Sequence, residues 1–342
     1  MALTFVDGFD DWVLANRAQE GWTQANGSSG FSVTNVTGRR ASSSAIQIAH
    51  TSATSNSWAN ISRSITAVST LFTHVAVNFS VMPTTNSRIL WQFRESTTVH
   101  ITVYMKPTGD LAVYRGLGTT LLGTSAVISA ATWASLEMKV VIHDSTGSVD
   151  IRVNGVSILA LSGVDTRNGG TGVIDNIIIG EINNSGLSIG YTVIIDDLLM
   201  YDTTGSVCNT WTGDVRVDSL LPTGAGSSTQ FTPSTGSNYT CVDEATSNTT
   251  DYVDSSTAGH VDLYAFADLS HSPTNIYGVY LAALATKDDA GSRLLKVKMK
   301  SSSSTADSSS LALTNGSWER KAAVFEVDPA TSAAWTKTAL NA

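Results

Sequence analysis

The stretch from Trp133 to Leu161 narrows the choice of fold more than any other part of the chain. In Leu136-Glu-Met-Lys-Val-Val-Ile142 the residues at 136, 138, 140 and 142 are apolar, so they share one face of a strand. Asp144-Ser-Thr-Gly147 turns the chain. Val149, Ile151 and Val153 form the next inward row, with Asp150 and Arg152 outward. Asn154-Gly155 is a two-residue hairpin signal, because both residues tolerate the positive φ of a type I′ turn. Val156 to Leu161 returns, completing a β-meander. Further strands fit Thr73–Met82, Ile89–Phe93, Val99–Met105, Leu111–Tyr114, Val173–Gly180 and Tyr191–Tyr201. No stretch of helical length combines a cap with a 3.6-residue apolar period. So many short strands predict a β-sandwich.

Composition agrees. The chain has 342 residues, of which 45 are Ser and 43 are Thr, and only 14% are charged, against about 25% in an ordinary domain. Hydroxyl-bearing residues suit the outer faces of antiparallel strands. A net charge of −9 argues against binding nucleic acid through its phosphates. The longest apolar runs, such as Val279–Ala285, are strand-sized, so no membrane-spanning helix is expected. Residues Met1–Asp10 lack the basic and apolar regions of a secretory signal. Cys208 and Cys241 are too few for a disulfide scaffold; free buried thiols or a single bridge both remain open.

Three pieces of residues 4–203 carry a family likeness: Asp7-Gly-Phe-Asp10, the Trp133-x-x-Leu-x-Met-x-Val strand with its Val-Asn-Gly hairpin, and Ile194-Ile-Asp-Asp-Leu-Leu-Met-Tyr201. They resemble the concanavalin A-like lectin/glucanase superfamily in its laminin-G-like form. The resemblance implies a jelly-roll sandwich over residues 1–203. Residues 204–214 read as a linker, and 215–342 as a second, smaller β-rich domain. There, strands fit Val261–Ala267, Ile276–Ala285, Leu294–Lys300 and Ala322–Val327. Lys287-Asp-Asp-Ala-Gly291 reads as a turn that makes Ile276–Lys300 a hairpin, and Ser301–Ser310 as a low-complexity loop.

The second part carries its own likeness, in order along residues 211–340. The pieces are Thr212-Gly-Asp-Val-Arg-Val-Asp-Ser-Leu-Leu-Pro-Thr-Gly224, Asn238-Tyr-Thr-Cys-Val-Asp-Glu244, Asp262-Leu-Tyr-Ala-Phe-Ala-Asp-Leu269, Ala285-Thr-Lys-Asp-Asp-Ala-Gly291 and Asp328-Pro-Ala-Thr-Ser-Ala-Ala-Trp335. They resemble the C-terminal region of tailed-bacteriophage structural proteins.

Signals for chemistry are sparse. No strand carries the Glu-x-Asp-x-x-Glu triplet of glycan hydrolases on this fold, and no nucleophile elbow, phosphate loop or dinucleotide fingerprint occurs. The chain is therefore expected not to be an enzyme. The six scattered histidines read as ordinary surface or strand-edge residues. In laminin-G-like domains the first and last strands lie close, which the resemblance extends to Asp7, Asp10, Asp196 and Asp197. Oxygen ligands of that kind suit calcium; the alternative is that they accept turn hydrogen bonds at strand ends. Trp91 and Trp133 sit within strand patterns and read as core. Trp22 and Trp58, in polar loops, are the candidates for stacking on a sugar.

These readings give two expectations for function. The first is a structural virion protein of the capsid-decoration or fibre type, forming a homo-oligomer, by resemblance a trimer, and contacting other virion proteins. The second is a glycan-binding receptor-recognition module on the virion surface, meeting host surface glycans.

Overall fold

The computed structural model describes residues 3–11, 17–26, 30–51, 58–182, 190–246 and 248–342. The chain divides into two compact units: Met1–Phe9 with Gly21–Val217, and Asp10–Glu20 with Asp218–Ala342.

The first unit is the expected sandwich. Its strands are β1 (Leu3–Asp7), β2 (Thr23–Asn26), β3 (Phe31–Thr37), β4 (Ser44–His50), β5 (Ala59–Val68), β6 (Thr70–Val81), β7 (Arg88–Glu95), β8 (Thr98–Met105), β9 (Asp110–Arg115), β10 (Thr120–Val127), β11 (Trp133–Val141), β12 (Gly147–Val153), β13 (Val156–Val164), β14 (Ile174–Glu181) and β15 (Tyr191–Tyr201). One sheet runs β13-β12-β11-β6-β15-β4-β3, with β1 also on β15; the other runs β10-β9-β8-β7-β14-β5-β2. The meander has the register that its sequence sets: Leu136, Met138 and Val140 lie opposite Val153, Ile151 and Val149. All six except Val153 are fully buried. Asn154 and Gly155 take the positive φ values of the turn. From the other sheet Ile61, Trp91, Phe93, Ile101, Val103, Val113, Ile177 and Ile179 fill the core. Each such side chain contributes about 1.5–3 kcal/mol on burial.

Residues 204–217 are not a free connection. They belong to the first unit and lie on the outer face of the first sheet. Thr212 and Gly213 donate their N–H groups to Glu137 Oε1 at 2.9 and 3.0 Å. Val215 N–H donates to His74 Nε2 at 3.3 Å, and Val217 N–H to Asp197 Oδ1 at 2.8 Å. The Trp211 ring meets Phe72 edge-on at 5.2 Å and lies under the Arg152 guanidinium at 4.2 Å. A segment that looks polar and turn-rich in sequence is thus fastened by acceptors that are distant along the chain.

In the second unit the strands are β16 (Pro222–Thr229), β17 (Thr232–Pro233), β18 (Val253–Asp254), β19 (Asp262–Phe266), β20 (Val279–Ala285), β21 (Leu294–Leu295), β22 (Lys298–Ser301), β23 (Ser304–Asp307), β24 (Leu311–Ala312) and β25 (Glu319–Phe325), with a short 3-10 helix over Asn238–Cys241 and a short α-helix, α1 (Lys337–Leu340). They form two-stranded sheets. The expected hairpin over Ile276–Lys300 is not formed. β20 pairs with β25, Val279 opposite Phe325 and Ala285 opposite Glu319. β22 instead turns at Ser302, with φ 54°, and pairs with β23 inside the serine-rich stretch read as a loop. Lys298 and Asp307 face each other across that pair. Arg320 bonds to Asp11 and Glu20, and its N–H to the Gln19 carbonyl, which ties the early segment into this unit.

Neither cysteine is in a disulfide, and both are buried.

Candidate functional site

The four carboxylates read as calcium ligands are engaged by hydrogen-bond donors. Asp7 accepts from the Phe9 N–H and from Trp22 Nε1, both at 2.8 Å. Asp196 accepts from the Arg39 and Asp197 N–H groups at 2.8 Å. Asp197 faces Arg40 and Arg39 and also accepts from Val217. Asp10 lies 3.5 Å from the Ser219 hydroxyl, in the second unit. Among the described residues no three His, Cys, Asp or Glu side chains gather as a metal site.

Trp22 is 1% exposed, so it has no ring face to offer a sugar. Its indole packs on Phe5 and Phe9, and its one polar atom is satisfied by Asp7. Trp58 is 37% exposed and immediately precedes β5. Trp91 is core as expected, whereas Trp133 is only partly buried. The histidine reading needs correction at three places, since His50, His74 and His100 are fully buried. Polar partners on neighbouring strands and loops make this tolerable for His74 and His100. His74 Nδ1 bonds to the Asp197 carbonyl, and His100 bonds to Glu95 and to the Asn168 N–H.

Side chains alternate across a strand, so the residues between the buried ones point away from the core. On the seven-stranded sheet this puts Ser62, Ile178, Gln92, Thr102 and Tyr114 in one cross-strand row. Beside it run Ser64, Asn176 and Arg94, and beyond it Tyr104 with Ala112. The same alternation, continued back from Asn60, reaches Trp58. Gln92 is 0% exposed, yet neither its amide oxygen nor its nitrogen has a hydrogen-bond partner. Leaving such groups bare costs about 1–3 kcal/mol. Arg94 forms no ion pair among the described residues; its Nε is buried without a partner, and burial lowers its pKa. Tyr104 and Tyr114 meet edge to face at 5.4 Å. Burial, with Glu181 and Tyr114 adding to it, pushes the Tyr104 hydroxyl up to about 12, so it stays a hydrogen-bond donor at neutral pH. Loops close one end: Thr102 donates to the Gly116 carbonyl, and Glu95 accepts from Thr171 and Gly172.

This face holds an amide, a guanidinium and a pair of aromatic rings in one patch. Its centre carries no acid pair and no loop tryptophan, the sequence features that suggest a site by themselves. The signal was present in Trp91-Gln-Phe-Arg94, where polar residues alternate with core aromatics in a central strand.

A second polar group lies between the sheets. Arg88 and Glu181 approach to 4.0 Å, and the His50 and Tyr191 rings meet edge to face at 5.5 Å. Burial, with the Arg88 charge, pushes His50 down to about 4, and the Tyr191 hydroxyl is buried with no partner.

Neither a scan of family models nor a search of curated proteins finds a match. Solved structures do match. A sialidase aligns over 59% of this chain and 19% of its own length, at 11% identity and a TM-score of 0.45. The alginate lyase Aly36B aligns over 54% of this chain and 97% of its own, at 10% identity and a TM-score of 0.35. A carbohydrate esterase from Shiga toxin-encoding bacteriophage phi24B aligns over 59% and 98%, at 12% identity and a TM-score of 0.40. The presence of enzymes in this set removes the ground for expecting that the chain is not one. At such identities no activity passes from them to it. What stands is the architecture: the chain is all-β, with 53% strand and 3% helix among the described residues, and its first unit is a jelly-roll-like β-sandwich.

Proposed function

We propose that the chain binds a glycan on the outer face of the seven-stranded sheet, with the partly exposed Arg94, Tyr104 and Tyr114 as the contact residues. One observation carries the reading: a guanidinium with no ion pair among the described residues shares one face with a pair of tyrosine rings. Tyrosine rings offer faces for the C–H groups of a sugar. Arg94, with no carboxylate partner among the described residues, suits a sugar that brings its own, such as a uronic or sialic acid. Trp58 extends the same face.

The test uses the full chain in calorimetric titration against neutral and carboxylated oligosaccharides. Tyr104→Ala removes one ring of the pair, and the expectation is a binding loss of about 10-fold or more. Arg94→Met is expected to remove the preference for carboxylated sugars. Parental binding by Tyr104→Ala, or no binding of any sugar by the parent, overturns the proposal.

The setting proposed for this activity is the surface of a bacteriophage particle, which rests on the sequence resemblance over residues 211–340. Labelling of purified particles by an antibody against the chain tests it; a chain found only free in lysates overturns it.

A further inference from the structure

On the outer face of the seven-stranded sheet, Gln92, Thr102 and Tyr114 lie opposite one another on β7, β8 and β9, and Arg94 lies two residues beyond Gln92. Two strand spacings across and two residues along put the Arg94 and Tyr114 backbones about 12 Å apart. The side chains do not close that gap. Among the described residues the cations over aromatic rings are Arg63, Lys139 and Arg152, and Arg94 is not one of them. Burial alone lowers Arg94, and what raises Tyr104 is burial, Glu181 and Tyr114, with no part for Arg94. A pyranose ring seated against the tyrosines therefore leaves the guanidinium to a different sugar of the same chain.

The two ends of this face differ. Along β8 the outward residues His100 and Thr102 are fully buried, and Tyr104 is only partly so. Loops supply the cover. Asn168 donates its N–H to His100 Nδ1 at 3.1 Å and its side-chain amide to the Val99 carbonyl at 3.0 Å, and Thr102 donates to the Gly116 carbonyl at 2.8 Å. The loop at 168–172 also closes on Glu95, the residue after Arg94. The Glu95 carboxylate accepts from the Thr171 hydroxyl at 2.8 Å and from the Gly172 N–H at 3.0 Å, so it is occupied by the loop and not by Arg94. A sugar chain seated at Arg94 meets this loop and ends there. At the other end Leu121 lies opposite Tyr114 on β10, the edge strand of the sheet, and is 53% exposed. The face runs out to solvent on that side.

Resting on the glycan-binding reading above, we propose that this face takes the acidic end of an oligosaccharide: one terminal carboxylated sugar on Arg94, and neutral sugars on Tyr104 and Tyr114, with the chain leaving over Leu121. The full chain is titrated, with ligand-observed NMR as the readout, against four probes. Sialyllactose has one acidic sugar capping two neutral ones; N-acetylneuraminic acid and lactose are its two parts; tri-galacturonate is acidic in every sugar. Sialyllactose is expected to bind about 10-fold or more tightly than either part or tri-galacturonate, because two linked contacts act together. Tyr114→Ala is expected to lower its affinity to that of N-acetylneuraminic acid, whose own binding stays parental and shows that the variant is folded. Arg94→Met is expected to lower it to that of lactose. Sialyllactose bound no more tightly than one of its parts, or a Tyr114→Ala loss shared with N-acetylneuraminic acid, means a single sugar subsite and overturns the proposal. Tri-galacturonate bound as tightly as sialyllactose places acidic sugars on the tyrosines and overturns it as well. Each of these results leaves glycan binding standing, whereas binding of none of the four overturns both readings together.

Discussion

His74 shows how much one buried side chain decides. It accepts the Val215 N–H at Nε2, so its proton sits on Nδ1 and is donated to the Asp197 carbonyl. Burial pushes its pKa down to about 4, with Arg39 and Arg40 also lowering it and Asp197 and Asp214 acting against them. His50 is pushed down to about 4 for the same first reason. Both are neutral in the folded chain and take up protons on unfolding near their ordinary value of 6.5. Their contribution is therefore whole above pH 6.5 and declines as pH falls through 6.5 towards 4. Between pH 7 and 5 each is expected to cost about 2 kcal/mol. Urea unfolding at the two pH values checks this; equal midpoints would contradict it. Burial raises Glu137 and Asp197, which works in the opposite sense but nearer the carboxylate range. Glu95, held down to about 2 by the Thr171 and Gly172 donors, adds a loss only below about pH 4.5. Within the core, Val140→Asp puts an unpaired charge where nothing is exposed, and is expected to cost several kcal/mol in a thermal melt.

At the scale of elements, the 204–217 segment invites a direct test. Glu137→Leu leaves the Thr212 and Gly213 N–H groups facing an apolar side chain, at a cost of about 1–3 kcal/mol, whereas Glu137→Gln keeps an acceptor and is expected to cost less. Trp211→Ala removes the contacts to Phe72 and Arg152. It is expected to make the segment cleavable by a protease to which the parent chain is resistant; equal cleavage of the two chains would show that the ring does not hold it. None of this docking was legible from Thr212-Gly-Asp-Val, because the acceptors lie 75 and 141 residues away in sequence. The β20 pairing failed to show for a related reason. Alternation in Leu295, Val297 and Met299 says that a strand exists there, not which strand it joins.

Across the whole molecule, the two units differ in how they gain stability, and heating should separate them. The second unit, with few fully buried apolar side chains, is expected to unfold at a lower temperature than the sandwich. Calorimetry of the full chain decides this; a single shared transition would contradict it. The sequence by itself determined which residues of Leu136–Val153 point inward, the turn at Asn154-Gly155 and the all-β class. These follow from a two-residue period and local backbone preferences, which act over a few neighbours. Only the tertiary structure decided that Trp22 is core and not a sugar platform, that Asp196 and Asp197 serve arginines and backbone, and that β20 pairs with β25. It alone left Gln92 buried with its amide bare. Each of these depends on which distant segments come together. Burial and pairing are properties of that assembly, and no local pattern carries them.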